Sequence, residues 1–313
     1  MTVDKHSVDE MRDTRPHDHV VHVYVDDFAL TQELARFVAD GLTLGEAVVV
    51  AVTAEHRASV LALLDRRPLR AGARESLVIL DAVETLNEIM VDGHPDGAVL
   101  EALSNRILDP LTADGREVRL CGEMVAMLWA EGNVTGALAL ESVWNDLAAK
   151  RRFFLMCAYP GASLRGSRLR DIDAMRDEHS QSWLLGLSMQ YAERSAITTP
   201  DNAQLLIPFP MPSTVSVARH FATHTLAEWE AADLVDSAEV IASQLATNAV
   251  EHAHTAYRLT LSQASTTVRI EVEDAVPVAD GASLDLAKVQ ACASRYGYTL
   301  TPHGKKVWAE LNR

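Results

Sequence analysis

Between Val20 and Pro160, short apolar runs alternate with longer stretches in which apolar residues recur at helical spacing. VVHVYV (20–25), AVVVAV (47–52), SLVILD (76–81), VRLCGE (118–123) and FFLMCAYP (153–160) are near-continuous apolar runs of strand length. After the first, Leu30, Leu34, Phe37, Val38 and Leu42 mark one face of a helix. Thr53 stands where the N-cap of the next helix belongs. ETLNEIM and the stretch around Ala98–Leu111 read as two more, and MVAMLWAEG and NVTGALALESVWNDLAAK follow the fourth run. Strands that are apolar on both faces and separated by helices predict a parallel sheet covered on both sides.

The pattern changes after Pro160. From Arg165 to Ser195 the text is charged and then helical (SWLLGLSMQYAERS), and AITTPDN (196–202) carries Pro200 as a breaker. LLIPFPMP opens the second half as a short strand, and Ser213 is placed to cap a helix that begins TVSVARHF. A further helix covers Val240–His254. Tyr257–Ser262 and Thr267–Glu273 alternate apolar and polar residues as antiparallel strands, with Ser265–Thr266 near the turn. A helix around Leu284–Tyr296 and the strand KKVWAEL complete an α/β arrangement with an antiparallel layer. The expected organisation is a disordered leader over 1–18, an α/β domain over 19–164, a connecting helix and linker over 165–202, and a second domain over 203–313.

In parallel sheets the ligand crevice lies beyond the carboxyl ends of the strands. A phosphate-binding version carries a Gly-rich loop after the first strand. This chain carries Asp26 and Asp27 there, and two carboxylates repel a triphosphate. A small organic ligand suits the crevice better. His22 and Tyr24 share one face of the first strand, Glu123 ends the fourth, Trp129 and Glu131 follow it, and Tyr159 closes the fifth. These six are the candidate ligand contacts. For each taken singly, a core or helix-capping role is the alternative. His17, His19 and His22 crowd the start with Asp18, but His17 and His19 face one way and His22 the other. No Cys or His pair stands at zinc-finger spacing, so no metal site is expected.

Composition narrows the function. The chain has 313 residues, 48% of them hydrophobic, which suits two domains. Its net charge of −16, from 28 basic and 44 acidic residues, disfavours direct binding to nucleic acid. No apolar run reaches the roughly 18–20 residues needed to cross a bilayer, and the N-terminus has no apolar core of a signal peptide. Three widely spaced cysteines (Cys121, Cys157 and Cys292) argue against a disulfide framework. A cytoplasmic location is the expectation.

Several collinear blocks carry a resemblance: HVVHVYVDD, GLTLGEAVVVAVTAEHRASV, DAVETLNEIMVDGHPD, GEMVAMLWAEGNVTGALALESVWNDL and CAYP. From about His19 to Pro160 the chain resembles the MEDS sensory domain, named for methanogen and methylotroph regulators; Glu178-His179-Ser180 also recurs in the resemblance, without a role derivable from the residues. The resemblance implies a RecA-like or circadian-clock-ATPase-like core without a P-loop, and sensing of small hydrocarbon derivatives.

The second half carries another. In VIASQLATNAVEHAH (240–254), Gln244, Asn248 and His252 fall four apart on one helix face. From about Phe209 to Leu311 the chain resembles the GHKL (Bergerat) ATP-binding fold, in its branch of anti-sigma-factor serine kinases. By that resemblance Asn248 is the Mg²⁺-chelating asparagine and Asp274 the adenine-reading aspartate. Gln244 falls at the position of the general base, where an amide cannot accept a proton. The D-x-G-x-G turn reads DAVPV, where Pro277 removes an N–H donor. The lid position reads SLDLAKVQ, without the glycines that cradle phosphates. These departures predict no catalytic residue, residual nucleotide contacts through Asn248 and Asp274, and ATP with Mg²⁺ as a doubtful cofactor. The resemblance implies a sigma factor or a STAS-type anti-anti-sigma protein as partner, and a homodimer. The competing reading is an active ATP-dependent serine kinase, with Glu251 as the nearest substitute base.

Overall fold

The computed structural model describes residues 18–179, 181–183, 196–276 and 286–313. The expected leader, except Asp18, and all of SWLLGLSMQYAERS but its first two residues lie outside these. The described residues form two compact units. One takes the chain to Leu164 and again from Met175 through the strand at 181–183; the other takes Arg165–Ala174 and everything from Ala196 on.

The first unit is built on β1 (His19–Tyr24), β2 (Ala47–Val52), β3 (Leu77–Asp81), β6 (Val118–Gly122), β7 (Phe154–Pro160) and β8 (Gln181–Trp183). A two-residue hairpin, β4 (Met90–Val91) with β5 (His94–Pro95), stands apart from them. The sheet is parallel throughout, in the order β3-β2-β6-β7-β1-β8. The five strands read from the sequence all appear. Ser182 and Trp183, expected to open a helix, instead extend β8, which pairs with the free edge of β1.

Helices cover both faces because the strands are apolar on both. On one face α1 (Asp27–Leu44) and α2 (Ala54–Leu64) pack Leu34, Phe37 and Val60 against Val20, Val50 and Met156. The opposite face carries α3 (Ala82–Ile89), α4 (Gly97–Thr112), α5 (Met124–Ala130) and α6 (Val134–Lys150). After β7 come the single turn α7 (Gly161–Leu164) and α8 (Leu169–Asp177), of which the residues up to Ala174 belong to the second unit.

Asp26 caps α1: its carboxylate accepts from the Ala29 N–H at 2.7 Å. The protein's own anion therefore fills the helix N-terminus that a phosphate site would leave free. Asp26→Ala is expected to destabilise the first unit by about 1 kcal/mol, with Asp26→Asn nearly silent. Urea denaturation of the two variants checks this; equal loss in both would mean that charge, not capping, is at work.

The second unit is an antiparallel sheet in the order β13-β14-β12-β11-β10-β9. Its strands are β9 (Ile197–Thr198), β10 (Asn202–Ile207), β11 (Tyr257–Gln263), β12 (Thr267–Asp274), β13 (Arg295–Thr301) and β14 (Gly304–Asn312). The helices are α9 (Pro212–Glu228), α10 (Val235–Asn248) and α11 (Ala287–Cys292). Three local expectations are corrected. Ser213 is not the cap of α9: Pro212 takes the first helical position, and Thr214 Oγ1 ties back to the Met211 backbone. Tyr296 belongs to a strand, because Arg295–Thr301 pairs along β14 and leaves the helix only Ala287–Cys292. Finally, α10 passes into a π-turn over Ala249–Ala253. The wider turn breaks the four-residue stripe, so Gln244 and Asn248 are buried while His252 is exposed.

Candidate functional site

The strand order fixes where a crevice opens in the first unit. From β2 the chain leaves through α2 toward β3, and from β6 it leaves on the opposite face through α5 and α6 toward β7. Neighbouring strands whose connections diverge in this way mark the topological switch point. The mouth between them is filled from within. Buried Glu123 accepts the Thr53 N–H at 2.9 Å, at the start of α2, and its other oxygen lies 2.6 Å from His56 Nδ1. His56 Nε2 is 3.5 Å from Asp27. The hydrogen bond to Glu123 raises the His56 pKa, and the pair closes the mouth to a second anion. Thr53 is the N-cap residue of α2 but makes no side-chain cap; its backbone N–H does the work through Glu123.

The six candidate contacts fall in three places. His22 and Tyr24 lie on the α1 side, their rings nearly parallel with centroids 6.4 Å apart. Burial holds the His22 imidazole down to about 4, with Arg36 adding to it, and burial pushes the Tyr24 hydroxyl up, helped by Glu123 and Asp27. Trp129 and Tyr159 meet edge-to-face at 5.8 Å on the other side of the sheet. Glu123 stands at the crevice mouth, and Glu131 is exposed at the end of α5.

Beside Tyr159 the fold gathers a cluster that the sequence does not. His19 from β1, Glu141 from α6, Cys157 from β7 and His179 after α8 bring one ligand-type atom each within 4.8 Å of one another. Glu141 Oε2 lies 3.2 Å from both His19 Nε2 and Cys157 Sγ, and His19 Nε2 is 3.3 Å from that sulfur. Glu141 Oε1 accepts the Tyr159 hydroxyl at 2.8 Å and lies 3.3 Å from His179 Nε2. Burial opposes the charge on Glu141, but His179 and His19 outweigh it and hold its carboxyl well below the usual range. Burial and the same carboxylate push the Cys157 thiol and the Tyr159 hydroxyl up. His19 stands among the crowded N-terminal histidines, and Cys157 lies inside the apolar run FFLMCAYP. The one sequence signal for the rest was the recurrence of Glu178-His179-Ser180.

An apolar cavity of about 50 Å³ lies on the same face of the sheet, lined among others by Val49, Leu100, Leu103, Leu120, Trp144 and Cys157. An engineered cavity of about 150 Å³ takes benzene, so this one suits a molecule of a few heavy atoms.

In the second unit Gln244 Nε2 donates to Asn248 Oδ1 at 3.2 Å. Asp274 is buried, and Lys305 Nζ reaches it at 2.8 Å while also donating to the Val276 carbonyl at 3.0 Å. The residue assigned to adenine is thus held by a cation of its own chain. Gly304 permits this pairing, since a Cβ there would fall 1.9 Å from the Asp274 carbonyl oxygen. Pro277 and the start of the lid segment lie outside the described residues.

A family model described as "MEDS: MEthanogen/methylotroph, DcmR Sensory domain" matches residues 18–175. No curated protein matches the chain. Among the described residues no helix is long and apolar enough to cross a membrane.

Proposed function

The chain belongs to the MEDS family of sensory domains, and from that premise we propose a signalling regulator whose first unit binds a small, largely apolar organic molecule. The binding place is the cavity beside β2, β6 and β7, not the crevice mouth. The carrying observation is the contrast between the two: the mouth is plugged by Glu123 and His56, while the cavity has an almost wholly apolar wall. A GHKL-like second unit without phosphotransfer activity completes the reading, with a sigma factor or STAS-type protein as its partner. The Asp274–Lys305 pair supports this, because an aspartate already bonded to a buried ammonium is a poor reader of an adenine amino group. Gln244 supports it too, since an amide cannot act as general base. For the ligand to regulate the second unit, it must bind two conformations of the chain unequally.

Thermal denaturation and calorimetry on the purified chain test both halves of the reading. A one- or two-carbon hydrocarbon derivative at ten times its Kd is expected to add about 1.4 kcal/mol of stability. That gain should vanish in Leu103→Phe, which fills the cavity. ATP with Mg²⁺ should give no binding heat. A ligand response unchanged in Leu103→Phe would remove the cavity from the argument. Micromolar ATP binding that requires Mg²⁺ would restore the active-kinase reading.

A further inference from the structure

The His19, Glu141, Cys157 and His179 cluster has more order than a buried ion pair needs. Each histidine has its Nδ1 committed outward, His19 to Asn145 Oδ1 at 2.8 Å and His179 to the Met175 carbonyl at 2.6 Å. An imidazole whose Nδ1–H is donated in this way carries its lone pair on Nε2, and this is how proteins orient metal-binding histidines. Both Nε2 atoms point inward. The supports are themselves held: Asn145 Nδ2 donates to the Glu178 backbone and side chain at 2.8 and 2.9 Å, and Tyr159 fixes Glu141.

His179 Nε2 supplies the second observation. Its side chain is 0% exposed, and it sits 3.3 Å from Glu141 Oε1 in a geometry that makes no hydrogen bond. A buried nitrogen aimed at a centre without bonding there is what a missing central partner leaves behind. The spacing fits such a partner. Around a tetrahedral zinc ion, N/O ligand pairs lie about 3.3 Å apart and N/S pairs about 3.6 Å. Glu141 Oε2 lies 3.2 Å from His19 Nε2 and from Cys157 Sγ, and His19 Nε2 is 3.3 Å from that sulfur. His179 Nε2 is 3.3 Å from Oε1 of the same carboxylate, and one ligand-type atom from each residue falls within 4.8 Å of the others.

We propose that His19 Nε2, His179 Nε2, a Glu141 carboxylate oxygen and Cys157 Sγ bind one divalent metal ion of the zinc class. Charge favours it. One thiolate, one carboxylate and two neutral imidazoles balance a dication. Binding releases the thiol proton, and any proton shared by the imidazoles, to solvent. Thiolate and imidazole donors together suit zinc, cobalt and iron better than magnesium or calcium. The proposal stands apart from the organic-ligand reading, although Cys157 lines both places.

The test is uptake by the full chain after chelator treatment, first of Zn²⁺ and then of Co²⁺. One equivalent of each is expected. Four-coordinate Co²⁺ should show strong visible d–d bands and a thiolate-to-cobalt charge-transfer band in the near ultraviolet. Cys157→Ser should lose the charge-transfer band, and His179→Gln should weaken binding by more than 100-fold. Asn145→Ala, which removes the support of His19 and the two bonds to Glu178 beside His179, should weaken it by about 10–100-fold. The wild-type spectrum needs no variant to fold, so it decides alone if the variants do not. Sub-stoichiometric uptake, or Co²⁺ bound without a thiolate band in the wild type, would overturn the proposal. So would a Cys157→Ser protein with the wild-type spectrum. Failure here leaves the cavity reading untouched, because that reading is scored by Leu103→Phe and by ligand-dependent stability.

Discussion

Lys305→Met should cost the second unit about 3–5 kcal/mol, because it strands a carboxylate in the interior. The Asp274 and Lys305 side chains are 3% and 8% exposed, and the 2.8 Å contact joins neighbouring strands at the Asp274↔Lys305 register position. Methionine keeps the length and the apolar stem but supplies no cation. Burial already raises the Asp274 pKa, with Lys305 pulling it back down. Without that restraint the carboxyl rises further and the folded state prefers it protonated. A carboxylate whose folded pKa is raised contributes stability below its unfolded pKa and loses it as pH rises through the folded value. The variant's deficit should therefore shrink in mild acid. Asp274→Leu combined with Lys305→Met should recover most of the loss, since two apolar residues of suitable volume often replace a buried pair at little cost. Amide hydrogen exchange in β11, β12 and β14 reads the effect where it arises. A Lys305→Met protein whose β12 amides exchange at the wild-type rate would mean that Asp274 reaches solvent, and the adenine-reading role would reopen.

The same pair shows what the sequence does and does not make legible. GKKVWAEL reads as a strand from its alternation, and Asp274 as the end of another. Neither text says that Lys305 faces Asp274, because register depends on the β12–β14 pairing and on how closely Gly304 lets the backbones approach. The parallel sheet was legible for a related reason. Five apolar runs announce buried strands without any knowledge of their order, and all five are present. The sixth, Gln181–Trp183, was missed because three residues carry no period. Site residues suffer most. His22 and Tyr24 share a face by simple alternation, and the structure keeps them together. Trp129 and Tyr159 fall on the opposite face, which no spacing within one segment can reveal. The His19, Glu141, Cys157 and His179 cluster joins three strand or helix positions and a loop residue spread across the first unit, so only the fold brings it together. His252 left its predicted stripe because a π-turn adds a residue per turn, and nothing in AVEHA signals one.

Acid should destabilise the first unit through His22, by about 3 kcal/mol between neutral pH and pH 4. The imidazole is 1% exposed on the α1 side of β1, and burial holds its pKa at about 4, against 6.5 for the free side chain. The unfolded chain thus takes up the proton first. Stability from the neutral ring is fully present above pH 6.5 and is lost as pH falls through the window to about 4. His56 works in the opposite sense. Its raised pKa gives stability that is full below 6.5 and lost as pH rises through the folded value, so the two partly cancel in the wild-type profile. The difference between wild type and His22→Phe isolates the first effect, since phenylalanine keeps a ring against Tyr24 and cannot be protonated. Urea denaturation at a series of pH values should show that difference changing by about 3 kcal/mol in favour of the variant on going from pH 7 to pH 4. A difference that does not depend on pH would mean that His22 ionises as readily in the folded protein as outside it. An imidazole in that state is open to water and hence to a ligand, and the first strand would then regain the binding role that its buried position argues against.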